Sequence, residues 1–226
     1  MSLLILNRPL YILNVLFLGW ILQGCQPSQQ DNRASEQGEP SQKLTYFDEF
    51  EAWKKTQDPK LLEQYQNFFK DKVKQQPTLY ELTLNSHPLK EECQQYRFSL
   101  PPKKLWANLI PSLQLIENLQ GQNYFAHYKI ISVYRSREAN NCVHGAKGSK
   151  HLNNFAVDFR TYNENKQHYA DTQKIEQQLC QFWRGHGKQH AMGFGVYGKQ
   201  RFHIDTQAYR TWGIGFKAVS SPCLKK

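Results

Sequence analysis

Three kinds of pattern are missing from this 226-residue sequence, and each absence excludes a class of protein. None of its five cysteines forms a Cys-x-x-Cys pair, so a cysteine-based zinc site is a poor interpretation. No segment repeats along the chain, which argues against a repeat architecture. The apolar run at residues 10–22 is short for a transmembrane helix.

The same apolar run has the flanks of an export signal. Arg8 provides a short positive region before it, and Leu22-Gln23-Gly24-Cys25 after it resembles a lipobox. We therefore expect residues 1–25 to be a lipoprotein signal peptide, with Cys25 lipidated; the alternative is a retained N-terminal anchor. The expected location is the cell envelope, where a lipid anchor holds the protein to a membrane facing the periplasm. Residues 26–43 contain no large apolar side chain, which predicts a disordered tether over 26–45.

Acidic residues are scarce relative to basic ones. Lysine and arginine number 29 against 19 aspartates and glutamates, a formal net charge of +10. Such a surface attracts acidic lipid headgroups, nucleic acid or an anionic cell-wall polymer, unless it is only a solvated basic face. Because an exported protein does not meet nucleic acid, we expect peptidoglycan and the membrane as partners, and a monomer.

Four cysteines remain once Cys25 is lipidated, and export places them in an oxidising compartment where disulfides persist. Two disulfides are expected, and four cysteines allow three pairings. Among these we favour Cys93–Cys142, which would fix a loop against the first helix of the domain, together with Cys180–Cys223, which would hold the C-terminal tail.

Apolar spacing divides the remainder into a helical extension over 46–85 and a main domain over 86–220. In the extension, Pro59 separates two amphipathic helices. The domain begins with a helix whose apolar face runs from Leu105 to Leu119; strands and one further helix, at about 171–183, follow it. The predicted fold class is α+β, with a central antiparallel sheet backed by helices.

Two apolar strands each carry an aspartate. Asp158 lies within Phe155–Phe159, and Asp205 ends the run Phe202-His203-Ile204-Asp205. A carboxylate in apolar surroundings costs several kcal/mol unless a cation or hydrogen-bond donors compensate it. One Zn²⁺ bound by His151, Asp158 and His203 would satisfy three such groups, and three N/O ligands with an open fourth position are typical of catalytic zinc.

A family resemblance supports this site. The motifs Ser132-Val133-Tyr134-Arg135-Ser136, Ser149-x-His151, Ala156-x-Asp158 and His203-x-Asp205, in this order, resemble the zinc D-alanyl-D-alanine metallopeptidases. That family includes D,D-carboxypeptidases and vancomycin-resistance D,D-peptidases, and it shares a fold with the hedgehog signalling domain. The resemblance implies a hedgehog-like fold, one zinc ion on His151, Asp158 and His203, and peptidase activity.

The resemblance also implies roles for further residues. Arg135 matches the arginine that holds a substrate carboxylate or polarises the scissile carbonyl, although its position also suits a surface residue at a strand end. Ser149 would orient the ligand loop or only cap a turn. Tyr197 would donate to a developing oxyanion or only pack in the core. His87, His127 and His168 carry no supporting pattern and are not assigned.

One position departs from the family pattern. Many relatives carry a carboxylate three residues before the last histidine ligand, whereas this sequence has Gln200, which cannot accept a proton near neutral pH. Asp205, on the same strand face as His203, would act as the base or would accept a hydrogen bond from the ligand imidazole; we favour the second role.

The leading hypothesis is a zinc-dependent peptidase of peptidoglycan stem peptides, most simply a D-alanyl-D-alanine carboxypeptidase. An endopeptidase cutting an internal stem or cross-link bond belongs to the same class. The alternative from another class is a non-catalytic, zinc-containing module that binds peptidoglycan or a protein, because Gln200 replaces the usual carboxylate.

Overall fold

A computed structural model describes residues 45–87, 91–167 and 172–225. The predicted signal peptide with Cys25, the tether up to residue 44, and His168 lie outside these ranges. Thr45, assigned to the tether, instead caps the first helix. None of the helices in the described ranges has the length and apolar character that a membrane span needs.

The predicted extension contains three helices with clear start signals: α1 (Tyr46–Lys54), α2 (Pro59–Phe68) and α3 (Leu79–Thr83). Capping boxes open α1 and α3, with Thr45 paired to Asp48 and Thr78 paired to Glu81. Asp58 caps α2, and Pro59 occupies its first turn, where a missing N–H costs no helical hydrogen bond.

This extension is built into the core of the domain. Tyr65, Phe69 and Leu82 are fully buried in the main apolar cluster, where Tyr65 packs against Trp106 with 5.0 Å between ring centroids. A bridge between Asn85 and Ser132 then ties the end of the extension to the first strand. The residues on either side of the predicted boundary at 85/86 therefore pack together.

Five strands form one sheet in the order β1-β2-β4-β3-β5: β1 (His127–Ser132), β2 (Ala156–Tyr162), β3 (Gly193–Val196), β4 (Arg201–Asp205) and β5 (Arg210–Trp212). Neighbouring strands are antiparallel except β3 and β5, which run parallel. The predicted α+β class is thus confirmed, while the sheet is mixed at one edge because the chain crosses over β3 to reach β5.

Helices pack on the apolar side of this sheet. The predicted helix near 105–119 consists of a 3-10 segment, Lys103–Leu109, followed by α4 (Ile110–Gly121). Its buried face and that of α6 (Thr172–His186) join Phe159 and Phe202 of the sheet in one cluster, through Leu113, Ile116, Leu119, Ile175, Leu179 and Phe182. The opposite side of β2 and β4 is left for polar residues, since side chains alternate along a strand.

Both disulfides are present in the favoured pairing. Cys93 is joined to Cys142, the last residue of α5 (Arg137–Cys142), and Cys180 of α6 is joined to Cys223. The first bond fixes the start of the loop that leads to His151. The second holds the C-terminal tail on α6, where Arg184 Nη1 also donates to the Cys223 carbonyl at 3.0 Å.

Removal of the first bond, in a Cys93→Ser/Cys142→Ser double variant, is expected to lower the free energy of unfolding. The two cysteines are 49 residues apart, and closing a loop of that length stabilises a fold by about 4 kcal/mol in the chain-entropy model, less any strain. Urea unfolding of the oxidised proteins measures the difference. An unchanged midpoint, or a Cys93–Cys180 peptide in a non-reducing map of the native protein, would contradict the assignment.

Candidate metal centre

Three buried side chains meet on the polar face of the sheet. Asp158 of β2 lies directly opposite His203 of β4 in the antiparallel register. His151 comes from the 3-10 turn Lys150–Asn153, just before β2, and the left-handed Asn154 (φ 57°) ends that turn. This turn, together with the left-handed residue that ends it, places His151 beside β2, the strand that carries Asp158.

The three side chains present one donor atom each to a common point. His151 Nε2 lies 3.2 Å from Asp158 Oδ1 and 3.1 Å from His203 Nδ1, and His203 Nδ1 lies 2.9 Å from the same oxygen. Ligands at ordinary zinc distances in a tetrahedron lie roughly 3.3 Å apart. His151, Asp158 and His203 form the group that could hold a metal ion within the described ranges, and its spacing and donor chemistry fit zinc.

The remaining ring nitrogens of both histidines have acceptors. His151 Nδ1 donates to the carbonyl of Val133, the residue after β1. His203 Nε2 donates to Asp205 Oδ2 at 3.0 Å. These bonds fix each ring so that its other nitrogen turns a lone pair towards the common point, the arrangement that metal-binding histidines show.

Burial and neighbouring charges shift the pKa values of all three side chains. Burial opposes ionisation of the Asp158 carboxyl, but the imidazoles of His151 and His203 outweigh it and hold its pKa well below its usual range. Burial lowers the pKa of His151. Burial also disfavours the charged form of His203, yet its hydrogen bonds with Asp158 and Asp205 raise its pKa. The pair of carboxylates thus attracts positive charge to this point, which a divalent cation would supply in place of a proton.

The site opens into a cleft of about 360 Å³. Asp158 is the one carboxylate among the described residues that line it, whereas its cationic side chains are Arg135, Lys150 and Arg210. Asp158 faces the metal position and Arg210 is paired with Asp205, so the positive charge of the rest of the cleft comes from Arg135 and Lys150. This charge suits an anionic substrate group.

Arg135 reaches the cleft from the end of β1 and is not a surface residue. Its side chain is buried, and Nη1 donates to Asn140 Oδ1 at 3.4 Å. Its Nη2 donates to His87 Nε2, which must accept because a guanidinium nitrogen can only donate. Burial and the neighbouring Arg135 lower the pKa of His87 to about 3, so this imidazole is neutral.

Asp205 and Gln200 lie away from the reacting side of the cleft. Asp205 is fully buried; besides His203 it accepts from the Gln207 amide at 3.0 Å and from Arg210 Nη2 at 2.6 Å. These donors favour the role of orienting His203 over that of a base, and His203 and Arg210 hold the Asp205 pKa at about 2 despite burial. Gln200 is directed to Thr172 at the start of α6, to which Nε2 donates at 2.7 Å.

Two glycines make room for the residues around His203. An added Cβ on Gly193 would lie 2.4 Å from Asp205 Oδ2, and one on Gly195 would lie 2.7 Å from the Trp212 indole. The Trp212 ring packs against the His203 imidazole with 4.9 Å between centroids. The alternating glycines of β3 therefore allow a carboxylate and an indole to support the same ligand.

The other expected site residues, Tyr197 and Ser149, also line the cleft. Tyr197 accepts a hydrogen bond from Trp212 Nε1 at 2.9 Å, and burial raises its pKa, so its hydroxyl keeps a proton to donate. Ser149 precedes the 3-10 turn of His151 but makes no side-chain cap there, which removes the capping interpretation.

Three site residues were missed in the sequence. His87 lies 3.7 Å from Asp158 Oδ2, and Arg201 Nη2 lies 3.4 Å from the same oxygen. A signal for Arg201 existed, because it lies two residues before His203 and therefore shares its strand face. Trp212 closes the segment Arg210-Thr211-Trp212, which takes part in the family resemblance, but the resemblance implied no role for it; His87 is distant in sequence from every ligand.

Comparison with known proteins agrees with this geometry. A sequence model of the family described as Peptidase M15 matches residues 78–205, which is more than half of the chain. The match includes His151, Asp158 and His203. No curated protein and no solved structure gives a match. The chain belongs to the peptidase M15 family.

Replacing Asp158 tests the ligand assignment. Asp158→Ala should lose most of the bound zinc, since two imidazoles alone remain, and Asp158→Asn should bind zinc clearly more weakly because the charge is lost. The fold should be only modestly destabilised, because the buried carboxylate is removed along with its desolvation cost. Elemental analysis after dialysis measures the zinc, with exposed Glu63→Ala as the control. Stoichiometric zinc in Asp158→Ala would show that the assignment is wrong.

Asp205→Asn tests the support of His203. The amide keeps the volume but loses the charge that holds the imidazole, so zinc affinity should fall about 10–100-fold. Competition with a chromophoric chelator measures the affinity. If Asp205→Asn binds zinc as tightly as the native protein, Asp205 does not orient the ligand.

Proposed function

We propose that this member of the peptidase M15 family is a zinc-dependent peptidase of peptidoglycan stem peptides, most simply a D-alanyl-D-alanine carboxypeptidase. The observation that carries the proposal is the convergence of His151 Nε2, Asp158 Oδ1 and His203 Nδ1 beside a cationic cleft. Family membership supports peptidase chemistry, and the charge of the cleft supports a substrate with a free carboxylate.

When bound, zinc supplies Lewis acidity and lowers the pKa of water towards about 7. His151, Asp158 and His203 would hold it. Asp205 and the Val133 carbonyl keep the two imidazoles in the orientation that binding requires. Trp212 covers one side of His203 and limits the access of bulk water to that ligand.

Arg135 is the residue proposed to bind the substrate carboxylate or the developing oxyanion. Nη1 and Nη2 each carry two N–H groups, of which Asn140 and His87 take one each, so further donors of the guanidinium remain for a ligand in the cleft. Asn140 and the neutral His87 hold the rest of the group without cancelling its charge. A fixed guanidinium with spare donors suits planar, bidentate binding of a carboxylate.

Tyr197 is proposed as a second donor in the cleft. Because burial raises its pKa, the phenol stays protonated at the pH where a peptidase works. Trp212 donates to the phenol oxygen and thereby leaves the phenol proton free to point elsewhere. A donor aimed at the position where negative charge develops is worth several kcal/mol in the transition state.

The cellular setting remains part of the proposal. Export through the signal of residues 1–25, with Cys25 lipidated, would place the domain beside the cell wall, and the charge of +10 would attract an anionic polymer. The two disulfides support an oxidising location. Whether a terminal or an internal bond is cut depends on the length of the peptide that the cleft accepts.

A non-catalytic binding module is the second candidate. The observation in its favour is that Asp158 is the one carboxylate lining the described cleft, while Gln200 is directed to Thr172. In that case zinc and the fold would remain and the protein would only hold peptidoglycan.

Digestion of purified muropeptides distinguishes the two. The zinc-loaded protein should release D-alanine or cut the stem, a chelator should stop the reaction, and His203→Ala should be inactive. Arg135→Lys should lower kcat/KM about 10²–10³-fold, the usual cost of a lost transition-state donor. Arg137→Lys, an exposed change on α5, is the matched control and should retain full activity. The binding module is correct if two results are found together. No peptide is cleaved while zinc is bound, and wild type and His203→Ala bind equally to isolated cell wall.

A further inference from the structure

A loop beyond the family match borders the cleft. The match ends at residue 205, and residues 213–219 connect β5 to the C-terminal tail, which Cys223 joins to α6. Both ends of this loop are fixed. Thr211 Oγ1 and Ser221 Oγ are 2.7 Å apart in a buried hydrogen bond, and the Cys180–Cys223 disulfide follows directly.

This loop exposes apolar side chains that a soluble surface ordinarily hides. Ile214 is 73% exposed, Phe216 68% and Val219 83%. Phe216 differs from the other two because it lines the cleft and its ring lies 5.6 Å, centroid to centroid, from that of Tyr197. An exposed ring on the wall of a candidate active site points to an apolar ligand group.

The backbone at Phe216 is also unusual. Its φ of 60° lies in the left-handed region, which bulky residues rarely adopt. The amide of Phe216 donates to the Gly213 carbonyl at 3.0 Å, so the fixed loop holds this conformation. Such outliers persist where the surroundings over-determine them, and they cluster at ligand-binding sites.

We propose that Phe216 is a specificity-determining residue, whose ring packs against an apolar side chain of the peptide next to the scissile bond. The proposal rests on the proposed function. It states which substrate group the cleft wall at Phe216 selects: a methyl group or a larger alkyl group, and not a second charged group.

The surrounding side chains support an apolar wall of this kind. From the ligand outwards, His203 packs on Trp212, Trp212 donates to the Tyr197 hydroxyl, and Tyr197 packs on Phe216. Aromatic faces bind alkyl groups without discriminating by charge, whereas Arg135 supplies the charge recognition in the same cleft. A peptide that ends in alanine residues offers both a carboxylate and methyl groups.

The test compares three peptides: a diacetylated lysyl tripeptide that ends in D-alanyl-D-alanine, and two counterparts in which one or the other alanine is glycine. Wild type should prefer alanine at the contacted position roughly fourfold, the value of one buried methyl group. Phe216→Ala should bring that ratio close to one, mainly through KM, while Phe216→Tyr, which keeps the ring, should retain it.

Val219→Ala is the matched control, because Val219 is on the same loop and more exposed but does not line the cleft. It should leave both ratios unchanged. Zinc content and thermal unfolding should be the same in all variants, since Phe216 is outside the core. Unchanged ratios in Phe216→Ala, or a wild type without preference at either position, would overturn the proposal.

Calorimetric dissociation constants for the same peptides separate the two proposals. If wild type binds but does not cleave, the proposed function fails, and the alanine-to-glycine ratio of the dissociation constants decides the role of Phe216. If it neither binds nor cleaves any of the three, both proposals fail. If Phe216→Ala and Val219→Ala equally weaken sedimentation with phosphatidylglycerol vesicles while the peptide ratios stay unchanged, the loop contacts a membrane and the Phe216 proposal is wrong.

Discussion

The buried carboxylate of Asp158 is the constraint on which the rest of the site depends. An ionised group in the middle of β2 has lost its water and must be compensated within the fold. His151 and His203 lie against one oxygen, while the Arg201 guanidinium approaches the other; the neutral His87 lies nearby and adds no charge. The antiparallel register that pairs Asp158 with His203 is therefore an electrostatic requirement as well as a packing one.

Asp205 is a second buried carboxylate that is compensated within the fold, on the side of His203 away from Asp158. Asp205 compensates His203, and Arg210 of β5 compensates Asp205. β5 also places Trp212 against Gly195. This edge strand therefore supports His203 in two ways, through the Arg210 charge on Asp205 and through the Trp212 ring. The mixed edge of the sheet thus supports the candidate metal centre, and the loop between β5 and the Cys180–Cys223 disulfide adds Phe216 to the same wall of the cleft.

Local patterns in the sequence predicted much of this. An aspartate inside an apolar strand marks a compensated site wherever it occurs, so Asp158 and Asp205 drew attention to β2 and β4, and strand alternation placed Asp205 beside His203. Pro59 marked the break between α1 and α2, whereas the capping boxes at Thr45 and Thr78 and the third helix, α3, were not predicted. In contrast, nothing local places His87 against Arg135 or runs β5 parallel to β3, because both depend on how distant segments meet.

The departure at Gln200 is geometric as well as chemical. The turn between β3 and β4 contains three consecutive left-handed residues, Gly198, Lys199 and Gln200, with φ of 74°, 51° and 51°. This turn carries the Gln200 side chain to Thr172 on α6 and buries it there. A glutamate at this position would be directed to the same helix instead of the cleft. One substitution at Gln200 would therefore not by itself place a carboxylate in the cleft, and under the proposed function another group that lines the cleft would have to transfer the proton.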